Sequence, residues 1–129
     1  MKIALDISPL TTGHYLQHRV RGTGFYLKSL QQSFAKYSPD HEYLVFSRGE
    51  RVPEDAEVIH YPYFEPFFLT LPVRKQKKQI VTVHDLTPLV FPEHFPAGIR
   101  GKIRWSLQRH ALQQSDAIIT DSFSSKNDI

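Results

Sequence analysis

Cysteine is absent from this chain. Its absence removes disulfide scaffolds, thiolate metal sites and cysteine nucleophiles together, and it fits a reducing compartment. No apolar run approaches the ~18–20 residues that a membrane span needs, and the N-terminus carries no signal-type apolar segment. A cytoplasmic chain is therefore expected. Repeats at periods of roughly 20–50 residues are missing as well, which excludes solenoids and propellers. Acid is missing over one long stretch, since His94 to Ser115 contains no Asp or Glu. What remains is the composition of a globular domain: 129 residues, 40% of them hydrophobic and 22% charged, enough to bury a core without a metal or disulfide staple. The 16 basic residues exceed the 13 acidic ones only slightly, so the placement of charge matters more than its sum.

The apolar pattern alternates between strand and helix. Ile3 to Ile7 is a short apolar run ended by Ser8-Pro9, as in a strand buried on both faces. A polar loop from Thr11 to Arg21 follows. Gly22-Thr23-Gly24 then opens a helix whose apolar positions, Leu27, Leu30, Phe34 and Tyr37, share one face. Ser38-Pro39-Asp40 ends it. Tyr43 to Phe46 reads as a second strand and Ala56 to His60 as a shorter third, although Ser47 to Asp55 is too short for a crossover helix. Tyr61 to Pro72, with three prolines and seven Tyr, Phe or Leu, has no period and reads as an aromatic loop. Ile80 to Val83 is a β-branched strand, and Pro88, Pro92 and Pro96 keep the residues after it extended or turned. A helix follows from about Ala97 to Gln114 with Ile99, Ile103, Leu107 and Ala111 on one stripe. Ala117 to Thr120 is the last strand, and Ser122 to Ser125 supply capping hydroxyls for a final helix. The expected class is α/β, a Rossmann-like parallel sheet sandwiched by helices.

With a Rossmann-like strand order of 3-2-1-4-5, the switch point falls between the first strand and the Ile80–Val83 strand. Ligands of open α/β sheets bind beyond the carboxyl ends of strands at such a point. The loops Ser8–Gly24, His84–Pro92 and Asp121–Ser125 open there, and they hold most of the glycine, histidine and hydroxyl chemistry. Gly22 and Gly24 at a helix start can bring backbone N–H groups to an anion, or can simply permit a tight entry. They do not make a dinucleotide fingerprint, because Leu27 stands where the third glycine belongs. His84 at a strand end can hydrogen-bond a sugar hydroxyl or phosphate, shuttle a proton, or satisfy nearby backbone. Asp6 can orient a ligand hydroxyl or cap the next turn.

His14 and His18 have the spacing of a helical metal pair but lie in a loop without an acidic partner, so no metal is expected. No cofactor is expected either. The basic helix around Arg100, Lys102, Arg104 and Arg109, together with the aromatic loop, suits an anionic lipid surface. Nucleic acid is not an expected partner, because no stripe of aromatics interleaved with basic residues is visible.

Three segments carry a family likeness. Ile80-Val81-Thr82-Val83-His84-Asp85-Leu86-Thr87-Pro88 resembles the V-T-x-H-D-L-x-P stretch of the family 4 (group 1) glycosyltransferases. Ser115-Asp116-Ala117-Ile118-Ile119-Thr120-Asp121-Ser122, with Ser125 and Asp128-Ile129, is similar to their S-D-x-I-I-T-x-S-x-x-S-x-x-D-I segment. Gly22 to Tyr26 resembles their G-x-G-R-Y, with Phe25 where the family has arginine. The matches follow the family's order and cover essentially the whole chain.

The resemblance implies the N-terminal, acceptor-side domain of a GT-B enzyme, spanning 1–129, that transfers a sugar from a nucleotide-sugar donor with retention and without a metal. It places Gly22 and Gly24 near the donor phosphates, His84 beside the transferred sugar, and Asp85 and Ser122 on the same cleft. The donor-binding half has no counterpart in the sequence. The chain stops in the first turn of a helix, so a fragment inactive by itself is expected. The implied partners are a nucleotide-sugar donor, held mainly by the missing half, and a glycan or lipid-linked acceptor. Peripheral contact with the inner membrane face is a further expectation. A non-catalytic flavodoxin-like binding module is the rival reading.

Overall fold

A computed structural model describes residues 1–11 and 17–129. The chain is α/β and Rossmann-like, and every strand pairing described below is parallel. It divides into two compact units, Met1–Pro62 and Tyr63–Ile129.

In the first unit β1 (Lys2–Asp6) is central. It leads into a single helical turn, α1 (Ser8–Thr11). The long helix α2 (Gln17–Tyr37) precedes β2 (Glu42–Phe46) and β3 (Val58–Tyr61). β2 lies along one side of β1, with Lys2 opposite Glu42 and Asp6 opposite Phe46. β3 lies along the other, with Ile3 opposite Val58 and Leu5 opposite His60. This corrects the 3-2-1-4-5 order, because β3 adjoins β1 and does not lie beyond β2. Burial explains the choice. Ile59, His60 and Tyr61 are all buried, which an outer position would not allow, whereas β2 leaves Glu42 and Val45 exposed. The connection 47–57 makes this crossover with turns alone, closed by Glu50 N–H to the Ser47 carbonyl and Ala56 N–H to the Pro53 carbonyl.

Ala4, Leu5, Ile59 and, from α2, Leu27 are fully buried and form the heart of this unit. Further along α2, Phe34 stacks on Tyr43 with ring centroids 4.4 Å apart. The α2 stripe runs out at Tyr37, which is exposed with Lys36 over its ring.

The second unit holds β4 (Lys78–Thr82), a short helix α3 (Thr87–Val90), the helix α4 (Gly98–Gln113), β5 (Ala117–Ile119) and α5 (Phe123–Asp128). β4 and β5 pair in parallel from Ile80–Ala117 to Thr82–Ile119. The ladder extends at both ends. Asp116 N–H donates to the Gln79 carbonyl, and Val83 N–H donates to that of Ile119. β5 is apolar yet exposed along its length, so two-sided burial does not extend to it. The residues after His84 are not wholly extended: Pro88 sits in the first turn of α3, where its fixed φ fits and its missing N–H is no loss.

α4 turns a different face inward from the one its apolar spacing predicts. Gly101, Gln108, Ala111 and Leu112 are buried, while Ile99, Ile103 and Leu107 face solvent. The aromatic loop decides this. The Gln108 side-chain oxygen accepts from Thr70 N–H (2.9 Å), the Thr70 hydroxyl (3.0 Å) and Leu71 N–H (2.8 Å). Its amide nitrogen donates to the Leu71 carbonyl at 2.9 Å. A loop without secondary structure has backbone groups that must find partners when buried, and Gln108 supplies them. At Gly101 the missing side chain matters, because a Cβ there would lie 3.8 Å from Phe67 and only 3.0 Å from Ala97.

Candidate active site

β4 and β5 run side by side with a constant offset in register, and that offset carries on past their last paired residues. Two residues beyond the Thr82–Ile119 pair it brings His84 opposite Asp121. The His84 Nδ1 lies 2.9 Å from Asp121 Oδ2. A carboxylate can only accept, so Nδ1 carries a proton, and in the neutral ring the lone pair is then on Nε2. The His84 side chain is mostly covered and that of Asp121 is half exposed. An imidazole oriented by a carboxylate at a strand end can accept a proton or hydrogen-bond a hydroxyl in a fixed direction.

The backbone under His84 is also held. Ser125 Oγ donates to the His84 carbonyl at 2.6 Å. Ser122 Oγ donates to Ser125 Oγ at 2.9 Å and accepts from Ser125 N–H at 3.0 Å. Ser122 is thus the N-cap of α5, with extended backbone ahead of the helical turn. The capping hydroxyls expected from the sequence are there, and their chain of hydrogen bonds ends on the histidine. Asp85 acts locally. Its carboxylate accepts from Thr87 N–H at 3.0 Å and so closes the turn into α3.

The structure therefore brings His84, Asp85 and Ser122 into one neighbourhood in the second unit. Asp121 and Ser125 join them, and neither stands out as a site residue in the sequence. Register is the signal that could have found Asp121, since the two strand ends are the same distance past their paired segments.

Gly22 and Gly24 belong to the first unit. They lie inside α2 and do not open it, which corrects the placement of a glycine loop at a helix start. Inside a helix their N–H groups are engaged in the i to i−4 ladder, so the anion-cradle argument loses its geometry there. Nothing crowds the position a Cβ would take at Gly22, and Phe25 beside it is 76% exposed. The polar loop was expected over Thr11 to Arg21. Residues 17–21 of it are helical, and 12–16, His14 among them, lie outside the described residues, as does the His18 side chain. Among the described residues no three His, Asp or Glu side chains gather as a metal site.

Asp6 ends β1 as a cap. Its carboxylate accepts from Ser8 N–H at 2.9 Å and from the Ser8 hydroxyl. That hydroxyl in turn accepts from Arg48 N–H at 2.7 Å. Burial raises the Asp6 pKa, against the lowering effect of Ser8. On β3, burial lowers the His60 pKa to about 4 and raises that of Tyr61 to about 12, with the nearby Asp6 charge adding to the latter.

No protein-family model, curated protein or solved structure matches the chain. Among the described residues no helix is long and apolar enough to cross a membrane.

Proposed function

We propose that the chain is the acceptor-side domain of a retaining GT-B glycosyltransferase, with His84 as the residue that meets the transferred sugar. The observation that carries this reading is the His84–Asp121 pair at the carboxyl ends of two neighbouring parallel strands, 2.9 Å apart. The two residues come from the two segments that most resemble the family, and both segments contribute to one site. Asp121 fixes the imidazole tautomer, and the Ser122–Ser125 relay fixes the backbone that carries it. Toward a sugar hydroxyl the ring then acts through Nε2. Asp85 shapes the adjoining turn.

In this reading a second α/β domain holds the nucleotide-sugar donor and stabilises its leaving phosphate, which is the larger part of the catalytic effect. The acceptor is a glycan or a lipid-linked sugar, and the enzyme works at the cytoplasmic side of the membrane. The contribution of Gly22 and Gly24 to donor binding is part of the proposal, although their place within α2 gives it no direct support.

The rival reading, a non-catalytic binding module, draws on the β2-β1-β3 order, which is also how flavodoxin-like sheets are arranged around their first strand. One experiment separates the two: sugar transfer from a panel of nucleotide-sugar donors by the natural gene product containing this chain. His84→Ala is expected to lower turnover at least tenfold, about 1.4 kcal/mol of barrier. Turnover that is unchanged in a folded His84→Ala protein, or no transfer from any donor, favours the binding module.

A further inference from the structure

The strand order of the first unit marks a second place for a ligand. From β1 the chain passes to β2 on one side and then to β3 on the other, so the sheet is built outward from β1 in both directions. In an open parallel sheet such a reversal opens a crevice beyond the carboxyl ends of the strands it separates, here β1 and β3. Asp6 ends β1. Its register partner on β2 is Phe46, and one step past the Leu5–His60 pair brings Tyr61 beside it on β3. Residues level with one another on adjacent strands share a face of the sheet. The Phe46 and Tyr61 rings, from the strands on either side of Asp6, meet edge to face with centroids 6.1 Å apart. Burial and, after it, the Asp6 charge raise the Tyr61 pKa, so the phenol lies near the carboxylate.

Both groups keep unused hydrogen-bonding capacity. The Ser8 N–H and hydroxyl both take Oδ1 of Asp6, and no described residue donates to Oδ2. Tyr61 is only 4% exposed, yet among the described residues nothing hydrogen-bonds its hydroxyl. That hydroxyl is not one of the fully buried polar atoms, so the open point of this ring is its polar tip. A phenol buried except at its hydroxyl, beside a half-buried carboxylate with one free oxygen, gives two directed polar groups on an apolar floor.

The surrounding groups select the ligand. A phosphate needs free backbone N–H groups, and those at this edge are taken. Ile7 N–H donates to the Phe46 carbonyl (2.8 Å), Ser8 N–H to Asp6, Ser47 N–H to the Glu50 carboxylate (2.7 Å) and Arg48 N–H to Ser8 Oγ (2.7 Å). A hard cation needs several oxygen ligands, and Asp6 belongs to no such cluster of described residues. Neutral hydroxyl groups fit, because the carboxylate oxygen accepts from them and the phenol can donate or accept. We propose that Asp6 and Tyr61 hold vicinal hydroxyls of a sugar ring in the crevice between β1 and β3. The site lies within Met1–Pro62. Binding there requires no reaction and no His84, so it goes beyond the sugar-transfer reading.

The test is titration of the isotope-labelled chain with D-ribose, D-glucose and D-mannose, and separately with inorganic phosphate, followed through its backbone amide NMR shifts. At least one sugar is expected to shift the amides of Asp6, Ser8, Arg48 and Tyr61 saturably, and phosphate to shift none of them. Tyr61→Phe removes only the hydroxyl and should weaken sugar binding about threefold to tenfold. Asp6→Asn keeps an oxygen for Ser8 but turns the free acceptor into a donor, and should weaken binding at least about tenfold. Tyr61→Phe decides alone if Asp6→Asn fails to fold. His84→Ala should leave binding unaltered, which separates a failure of this site from a failure of the sugar-transfer reading. The proposal is overturned by the absence of any saturable shift, or by binding that survives both Tyr61→Phe and Asp6→Asn. Equal loss in His84→Ala would also overturn it. So would phosphate that produces the same shifts, which would make the crevice an anion site.

Discussion

Two strand ends in this molecule carry an aspartate, and they use it differently. At the end of β1, Asp6 is half-buried and its carboxylate is tied up two residues away by the Ser8 N–H and hydroxyl. Past the end of β5, Asp121 is exposed and reaches across to His84, which extends from the neighbouring strand. The first arrangement is local, and it closes a turn with both hydrogen bonds on the same carboxylate oxygen, Oδ1. The second couples segments remote in sequence and orients a titratable ring at a surface. Position at a strand's carboxyl end therefore does not by itself let an aspartate orient a ring on the next strand. What matters is whether a serine two residues on claims the carboxylate first. Two residues after Asp121 stands Phe123, which has no hydroxyl, and the hydroxyl of the adjoining Ser122 is engaged in the helix cap.

If the β1–β3 end carries no reaction and the β4–β5 end is chemical, stability and activity should separate between them. The largest expected effect on stability is at His60. The folded protein keeps this ring neutral down to about pH 4, whereas the unfolded chain takes up its proton below about 6.5. Stability present above pH 6.5 is therefore lost as pH falls through that window, by about 3 kcal/mol. Urea denaturation at pH 7 and pH 4.5 should show a smaller drop for His60→Gln than for the natural protein. Equal drops would mean that the buried imidazole is not the sensor.

Asp6→Ala comes next, with a loss of about 1 kcal/mol at pH 7 as the Ser8 cap goes. Asp6→Asn should lose less, because the amide oxygen still accepts and no buried charge remains. The sign at this site opposes that at His60. The raised Asp6 pKa means the folded state holds the proton more tightly, so this contribution declines as pH rises from 3.8 through the folded value. An Asn variant as unstable as the Ala variant would show that the negative charge itself is needed.

The smallest stability effect is at Asp121, where removal of a half-exposed hydrogen-bond partner should change unfolding free energy by under about 1 kcal/mol. The same Asp121→Ala change should nevertheless lower sugar transfer roughly tenfold, less than the loss of a positioned acid–base group itself, because Asp121 acts through His84. A thermal unfolding curve and a transfer assay on one preparation test this directly. A large loss of stability with intact transfer would reverse the roles of the two strand ends.

Most elements were legible in the apolar runs. β1, β2, β4 and the final helix with its Ser122 cap lie where the pattern places them, because a buried strand needs an unbroken apolar run and a helix needs its cap. Short-range reasoning also covered Asp6, where capping was one of two readings and local hydrogen bonding decided it. It failed for α4. There three of the four periodic apolar residues, Ile99, Ile103 and Leu107, face water and only Ala111 is buried, because Gln108 and Gly101 serve a loop distant in sequence, and periodicity contains no information about that loop's unpaired backbone groups. It failed as well for the start of α2, where Gly22 and Gly24 look like loop residues but are accommodated within a helix.

From sequence alone follow the α/β class, the main strands and helices, and the chemistry concentrated in His84 and the serines near the C-terminus. These depend on contacts within a few residues and on the cost of exposing apolar runs. Tertiary structure decided the rest. It set the neighbour of β1, through the burial that Ile59, His60 and Tyr61 demand, and it chose the face that α4 turns to water. It also paired His84 with Asp121, because only the strand register brings together two side chains separated by a whole helix and its loops.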